Sequence, residues 1–208
     1  MAITHLAPRL LVVSIGNQAP YYECLHSAGH FALIAATLLE EKIGIQPKFT
    51  PSNRYGKKCL ASEGHPYTFL QSPTMMNNCG PFVLNAWKST LKLHDLQPSQ
   101  LGLVIVHDEL EADLGSVLVR DWDRSHRGHN GIKSIKASMQ PPKNGNYLWK
   151  RICVGIGRPT SREPNDVANY VLRKMSPAQR STIDTKVGDK IYDRLREIEV
   201  QWEENQDS

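Results

Sequence analysis

A histidine and an aspartate brought together by a fold can activate water, and this chain offers His26, His107 and His129 with Asp108 for that chemistry. An imidazole accepts a proton near neutral pH, while the carboxylate fixes its tautomer and stabilises the imidazolium. Asparagines nearby can donate amide N–H to a developing oxyanion or hold the polar groups of a substrate. Asn17, Asn77 and Asn130 are placed for this. No serine stands in a G-x-S-x-G elbow, so attack by water is the simpler reading. Taken singly, each residue also has a bland role: His26 opens a helix, and Asp108, Asn17 and Asn130 suit turns. His126, His129 and Asp108 could be imagined around a metal, but no H-x-H or H-E-x-x-H spacing supports it. No metal and no cofactor are expected. Gly155-Ile-Gly157 lacks the third glycine of a nucleotide fingerprint and is set aside.

These residues gain weight from the elements that carry them. Residues 9–16 and 101–107 are short apolar runs that read as buried strands, and 67–71 and 150–156 read as further strands. Residues 116–120 form a further strand after the Gly115 turn and are expected to pair beside 101–107. Helical spacing marks 26–42, 77–93 and 131–139, then a helix near 166–174 and a long one from Pro177 to about Glu204. Strands alternating with helices predict an α/β fold: one domain over 8–200, with a mixed central sheet flanked by helices and a C-terminal helix. Residues 141–146 read as an exposed loop, and the acidic segment 201–208 as a frayed tail. Asn17, Asn77 and His107-Asp108-Glu109 each follow or end a strand, and His129-Asn130 closes the loop after Arg120. In open α/β sheets ligands bind beyond the carboxyl ends of the strands, so these segments are expected at one rim.

The bulk composition agrees with a self-sufficient globule. The chain has 208 residues, 40% hydrophobic and 22% charged. A chain of that size buries roughly 70% of its unfolded surface and needs no disulfide or metal staple. Cys24, Cys59, Cys79 and Cys153 form no C-x-x-C pair and are read as reduced thiols. No apolar run approaches the roughly 18 residues of a membrane span, and no signal-peptide core precedes the first strand. A monomer in the cytoplasm or mitochondrial matrix is expected. The net charge of +4 is unevenly spread: residues 116–174 carry twelve Lys/Arg against four Asp/Glu. Such an excess suits a polyanionic partner or, equally, a solvated basic face.

Six segments in order carry a resemblance. They are Val12-Val-Ser-Ile-Gly-Asn17, His26-Ser-Ala-Gly29, Ser72-Pro-Thr-Met-Met-Asn-Asn-Cys-Gly80, His107-Asp-Glu-Leu110, Gly128-His-Asn-Gly-Ile-Lys133 and Val154-Gly-Ile-Gly-Arg-Pro159. Together they resemble the bacterial-type peptidyl-tRNA hydrolase family. That resemblance implies hydrolysis of the ester joining a peptide to the 3′ ribose of tRNA, with peptidyl-tRNA as the partner substrate. It makes His26 the base, Asp108 its carboxylate, and Asn17 and Asn77 residues lining the ester site. It places His129 and Asn130 in a supporting loop, Met76 beside Asn77, and one of Tyr21 and Tyr22 on the site wall. It assigns Arg120 to a tRNA phosphate. The family's second phosphate-clamping arginine aligns with Cys153, so Lys150, Arg151 or the loop residues Arg124 and Arg127 are expected to compensate. The loop before Gly128, glycine-rich in the family, is here Asp121-Trp-Asp-Arg-Ser-His-Arg127. A silent RNA-binding module and a small-ester hydrolase are the competing classes; the His26/Asp108 pair argues against the first and the basic region against the second.

Overall fold

Side chains alternate across a strand, so a strand apolar at every position must be covered on both faces. Leu10–Ser14 (β1) and Gly102–Glu109 (β5) are buried throughout, and each lies inside the sheet. The computed structural model describes residues 9–39, 46–141 and 147–206. The remaining strands are Thr50–Ser52 (β2), Cys59–Glu63 (β3), Tyr67–Gln71 (β4), Val117–Asp121 (β6) and Trp149–Gly155 (β7). They form one mixed sheet ordered β2-β3-β4-β1-β5-β7-β6. The four central strands β4, β1, β5 and β7 run parallel; β2, β3 and β6 pair antiparallel at the edges.

Helices cover both faces. Ala28–Thr37 (α1) and Pro177–Gln206 (α5) pack on one, meeting Leu10, Val12, Val104 and Val106. Cys79–Leu93 (α2) and Asn130–Ser138 (α3) pack on the other, meeting Leu11, Val13, Leu103 and Ile105. Along α5 the buried residues Ile183, Val187, Ile191, Leu195, Ile198 and Trp202 recur at three- and four-residue spacing, one continuous helical stripe. Pro164–Leu172 (α4) has no buried residue and lies over the site. The architecture is therefore the expected single α/β domain with a C-terminal helix. Among the described residues, no helix is long and apolar enough to cross a membrane.

Two expectations are corrected, and two strands lie outside them. The strand at 117–121 does not pair with β5, because β7 is inserted between them. The segment expected to fray from residue 201 is helical to Gln206, held by buried Trp202 with the Arg9 guanidinium over its ring. Edge strands β2 and β3 carried no recognised signal. The predicted loop at 141–146 falls, from 142 on, outside the described residues.

Candidate active site

From β1 the chain reaches β4 on one side, then returns through α2 to β5 on the other side of β1. Such a change of direction opens a crevice at the carboxyl ends of the strands. A cavity of about 690 Å³ lies there, and its walls include Asn17, His26, Asn77, Asp108, His129 and Asn130. The predicted convergence on one rim is present.

Asp108, next to last in β5, is buried and accepts three contacts. His26 Nδ1 lies 2.9 Å from both carboxylate oxygens, and His129 Nε2 lies 3.0 Å from Oδ1. His26 sits on the 3-10 turn Leu25–Ser27 that leads into α1. Close packing of α1 on β5 sets its distance from Asp108: a Cβ at Gly29 would stand 2.7 Å from the Val106 carbonyl oxygen. His129 caps α3, its Nδ1 accepting the Ile132 N–H at 3.3 Å. That acceptor role places the ring proton on Nε2, which then donates to Asp108. His26 likewise donates through Nδ1, which leaves its Nε2 with a free lone pair.

Burial opposes a charge on His26, but the Asp108 charge and hydrogen bond outweigh it, and the pKa rises. Burial also opposes the Asp108 carboxylate, yet His26 and His129 hold its pKa well below the usual range. The dyad is thus an anionic carboxylate facing a ring that protonates readily, the arrangement general-base chemistry needs. His26, Asp108 and His129 are also close enough to ligate a cation. Both histidine nitrogens that face the carboxylate carry protons in this hydrogen-bond pattern, so neither offers a lone pair there.

A third histidine lies beneath. His107 is buried; its Nδ1–H donates to the Asp108 carbonyl at 2.7 Å, and its Nε2 meets Cys153 Sγ at 3.4 Å. Burial, then the neighbouring His129, holds its pKa well below the ordinary value, while burial pushes the Cys153 thiol up to about 11. The two form a neutral packing pair under the dyad. Sequence reasoning noted His107 as a strand end but gave it no part.

The asparagines divide by burial. Asn17 is buried, and its Oδ1 accepts the Met76 N–H at 3.0 Å while its own N–H donates to Ser27 Oγ at 2.9 Å. It ties the β1 end to the segment carrying Asn77 and to the turn carrying His26. Asn77 and Asn130 are exposed on the cavity wall, with buried Met76 beside them. Tyr21 lines the cavity. Tyr22 does not: it packs against His30 and Phe31, and its hydroxyl donates to Gln71. The open choice between the tyrosines falls on Tyr21.

The expected phosphate contacts separate in the same way. Arg120 pairs with Glu109 at 3.1 Å and Lys150 with Asp121 at 2.6 Å. Arg151 is 1% exposed, and its Nη atoms donate to the carbonyls of Asp121, Arg124 and Ser125. Although it borders the cavity, its donors are engaged with these carbonyls rather than turned toward a phosphate. Arg127 is exposed at the cavity edge.

Known proteins are similar to this chain over most of its length. A family model described as peptidyl-tRNA hydrolase matches residues 11–206. Peptidyl-tRNA hydrolase of Delftia acidovorans is 34% identical over 179 residues, 85% of this chain and 78% of that one. Peptidyl-tRNA hydrolase of Saccharomyces cerevisiae is 32% identical over 184 residues, covering 86% and 90%. The crystal structure of peptidyl-tRNA hydrolase from Acinetobacter baumannii shares the fold, with a TM-score of 0.66 and 24% identity over 98% of this chain and 94% of that one. The chain belongs to the peptidyl-tRNA hydrolase family.

Proposed function

We propose that this protein hydrolyses the ester between a peptide and the 3′ ribose of tRNA, with water activated by His26. The observation that carries this reading is the His26–Asp108 dyad opening into a cavity large enough for an aminoacyl ester. Water attacks the ester carbonyl and gives its proton to His26 Nε2. Asp108 stabilises the imidazolium through Nδ1, and His129 holds the carboxylate in place. The exposed amide of Asn77, on the cavity wall, donates to the tetrahedral oxyanion in this reading, an interaction that strengthens as charge develops. Collapse expels the ribose oxygen, which regains the proton from His26. The peptide leaves as a carboxylic acid, which gives its remaining proton to solvent, and the tRNA is freed. Leu110, Val167 and Val171 give the cavity an apolar wall suited to peptide side chains.

The deciding assay measures release of N-acyl-amino acid from an N-acylated aminoacyl-tRNA, with a free N-acyl-amino acid ester as a second substrate. Turnover of the tRNA-linked ester, strongly preferred over the free ester and competed by uncharged tRNA, is expected. Equal turnover of both esters would make this a small-ester hydrolase. No turnover of either would remove the catalytic reading.

A further inference from the structure

Loop 122–128 turns its backbone inward onto two cations. Arg151 donates to the Arg124 carbonyl at 2.9 Å, to Asp121 at 3.3 Å and to Ser125 at 3.4 Å. Lys136, on α3, donates to the carbonyls of Arg124 at 2.6 Å and Asp123 at 3.3 Å. Trp122 seats the start of the loop edge-on against Trp149, ring centroids 5.1 Å apart. Carbonyls drawn inward leave the side chains pointing out, and Arg124 and Arg127 are exposed. At the other end Arg127 and Gly128 take φ of +47° and +83°, and the His129 N–H donates to the His126 carbonyl at 2.8 Å. The loop therefore passes straight into the histidine that touches Asp108.

The cations near the cavity are not equivalent. Arg120, Lys150 and Arg158 each face a carboxylate, on Glu109, Asp121 and Glu111. A phosphate must compete with that carboxylate before it gains such a cation. Arg124 and Arg127 make no ion pair within 4 Å among the described residues, although the Asp121 carboxylate feels the Arg124 charge. Arg162, exposed on the cavity wall, makes none either but lies outside the loop. Arginine's planar fork can hold a phosphate through two hydrogen bonds.

We infer that Arg151, with Lys136, is a positioning residue: it holds loop 122–128 so that Arg124 and Arg127 grip a tRNA phosphate at the mouth of the site. The inference rests on the proposed action on peptidyl-tRNA, which supplies the phosphate. It assigns docking in this chain to the loop, not to the strand residues Arg120 and Lys150.

The test is the salt dependence of binding to uncharged tRNA, which does not depend on turnover. Phosphate contacts release counterions, so removing both contacts in Arg124→Ala/Arg127→Ala should flatten the log–log slope by about 1.4–1.8. Lys88→Ala, on the exposed surface of α2, should leave the slope as in the parent. Arg151→Met should flatten the slope although its side chain is buried. Added to the Arg124→Ala/Arg127→Ala background it should cause little further loss, because residues acting through one element are not additive. Arg151→Lys should recover part of the binding. A parental slope in Arg124→Ala/Arg127→Ala overturns docking on the loop. A full additional loss from Arg151→Met in that background overturns its positioning role. Should a thermal melt show Arg151→Met unfolded, Lys136→Met replaces it in the same cycle with the same two readings. tRNA binding that passes these tests in a parent inactive on peptidyl-tRNA would retire the catalytic reading and leave the docking loop standing.

Discussion

His129 Nε2 lies 3.0 Å from Asp108 Oδ1, an oxygen that His26 Nδ1 also reaches at 2.9 Å. One carboxylate is therefore shared between two donors, and each weakens its pull on the other. Charge–dipole logic then predicts opposite shifts for two variants. The free base must be neutral, so the rate falls as pH drops through the His26 pKa, which Asp108 raises. Asp108→Asn removes that charge, and the acidic limb of kcat/KM should move to lower pH while the plateau falls. His129→Ala returns the whole carboxylate to His26, and the limb should move to higher pH. Limbs that move in the same direction would show that His129 does not act through Asp108.

His26→Ala tests the base itself. Loss of a positioned general base should lower kcat by roughly 10²–10⁴. Uncharged tRNA should bind as before, since the His26 side chain is only 15% exposed and lies inside the cavity. Near-parental turnover would exclude His26 as the base.

Asn17 gives a different kind of prediction. Its Oδ1 satisfies the Met76 N–H, so Asn17→Ala leaves a buried donor without a partner, at a cost of about 1–3 kcal/mol in urea unfolding. It should also lower kcat by displacing Asn77 from the cavity wall. If Asn17 acts through that segment, its effect should shrink in an Asn77→Ala background. Additive losses in kcat would mean that Asn17 touches the substrate independently.

The parts of this molecule legible in the sequence are those where one local pattern decides the outcome. β1 and most of β5 are apolar runs because the parallel interior of the sheet is covered on both faces. The stripe from Ile183 to Trp202 fixes α5, although the acidic residues around Trp202 disguised its last turn. Thr50-Pro-Ser52 is too short and too exposed to show a period, and Cys59-Leu-Ala-Ser-Glu63 lacks the β-branched and aromatic residues that mark strands. The position of β7 between β5 and β6 is a tertiary choice that chain order does not encode. The same holds for Arg151. A charged residue between Lys150 and Ile152 reads as surface, and only the loop carbonyls folded over it make its burial possible. The dyad was legible because His26 and Asp108 both sit at element ends; the second donor on Asp108 was not, since His129 reaches it from a separate loop.

Gly29 carries the last prediction. The helix that follows His26 can approach β5 only because this position lacks a side chain: an added Cβ would meet the Val106 carbonyl oxygen at 2.7 Å and the Ile15 carbonyl oxygen at 3.2 Å. Both obstacles are backbone, one in β5 and one directly after β1, and cannot swing aside, so α1 itself must move. Overpacking of this kind costs about 1–3 kcal/mol. Gly29 lies three residues after His26, and a shift of α1 lengthens the 2.9 Å contacts with Asp108 on which the proposed base depends. Gly29→Ala should therefore lower both stability and kcat. Gly128→Ala offers the contrast: nothing lies within 4 Å of its added Cβ, and the cost is the strain of φ +83° alone, about 1–2 kcal/mol. That variant should disturb the His129 side of the dyad and shift the acidic limb upward as His129→Ala does, whereas Gly29→Ala weakens the His26–Asp108 contact and should shift it downward. Stability and limb position measured on both variants decide the matter: a Gly29→Ala protein with parental stability and an unmoved limb would show that helix packing does not set the geometry of the base.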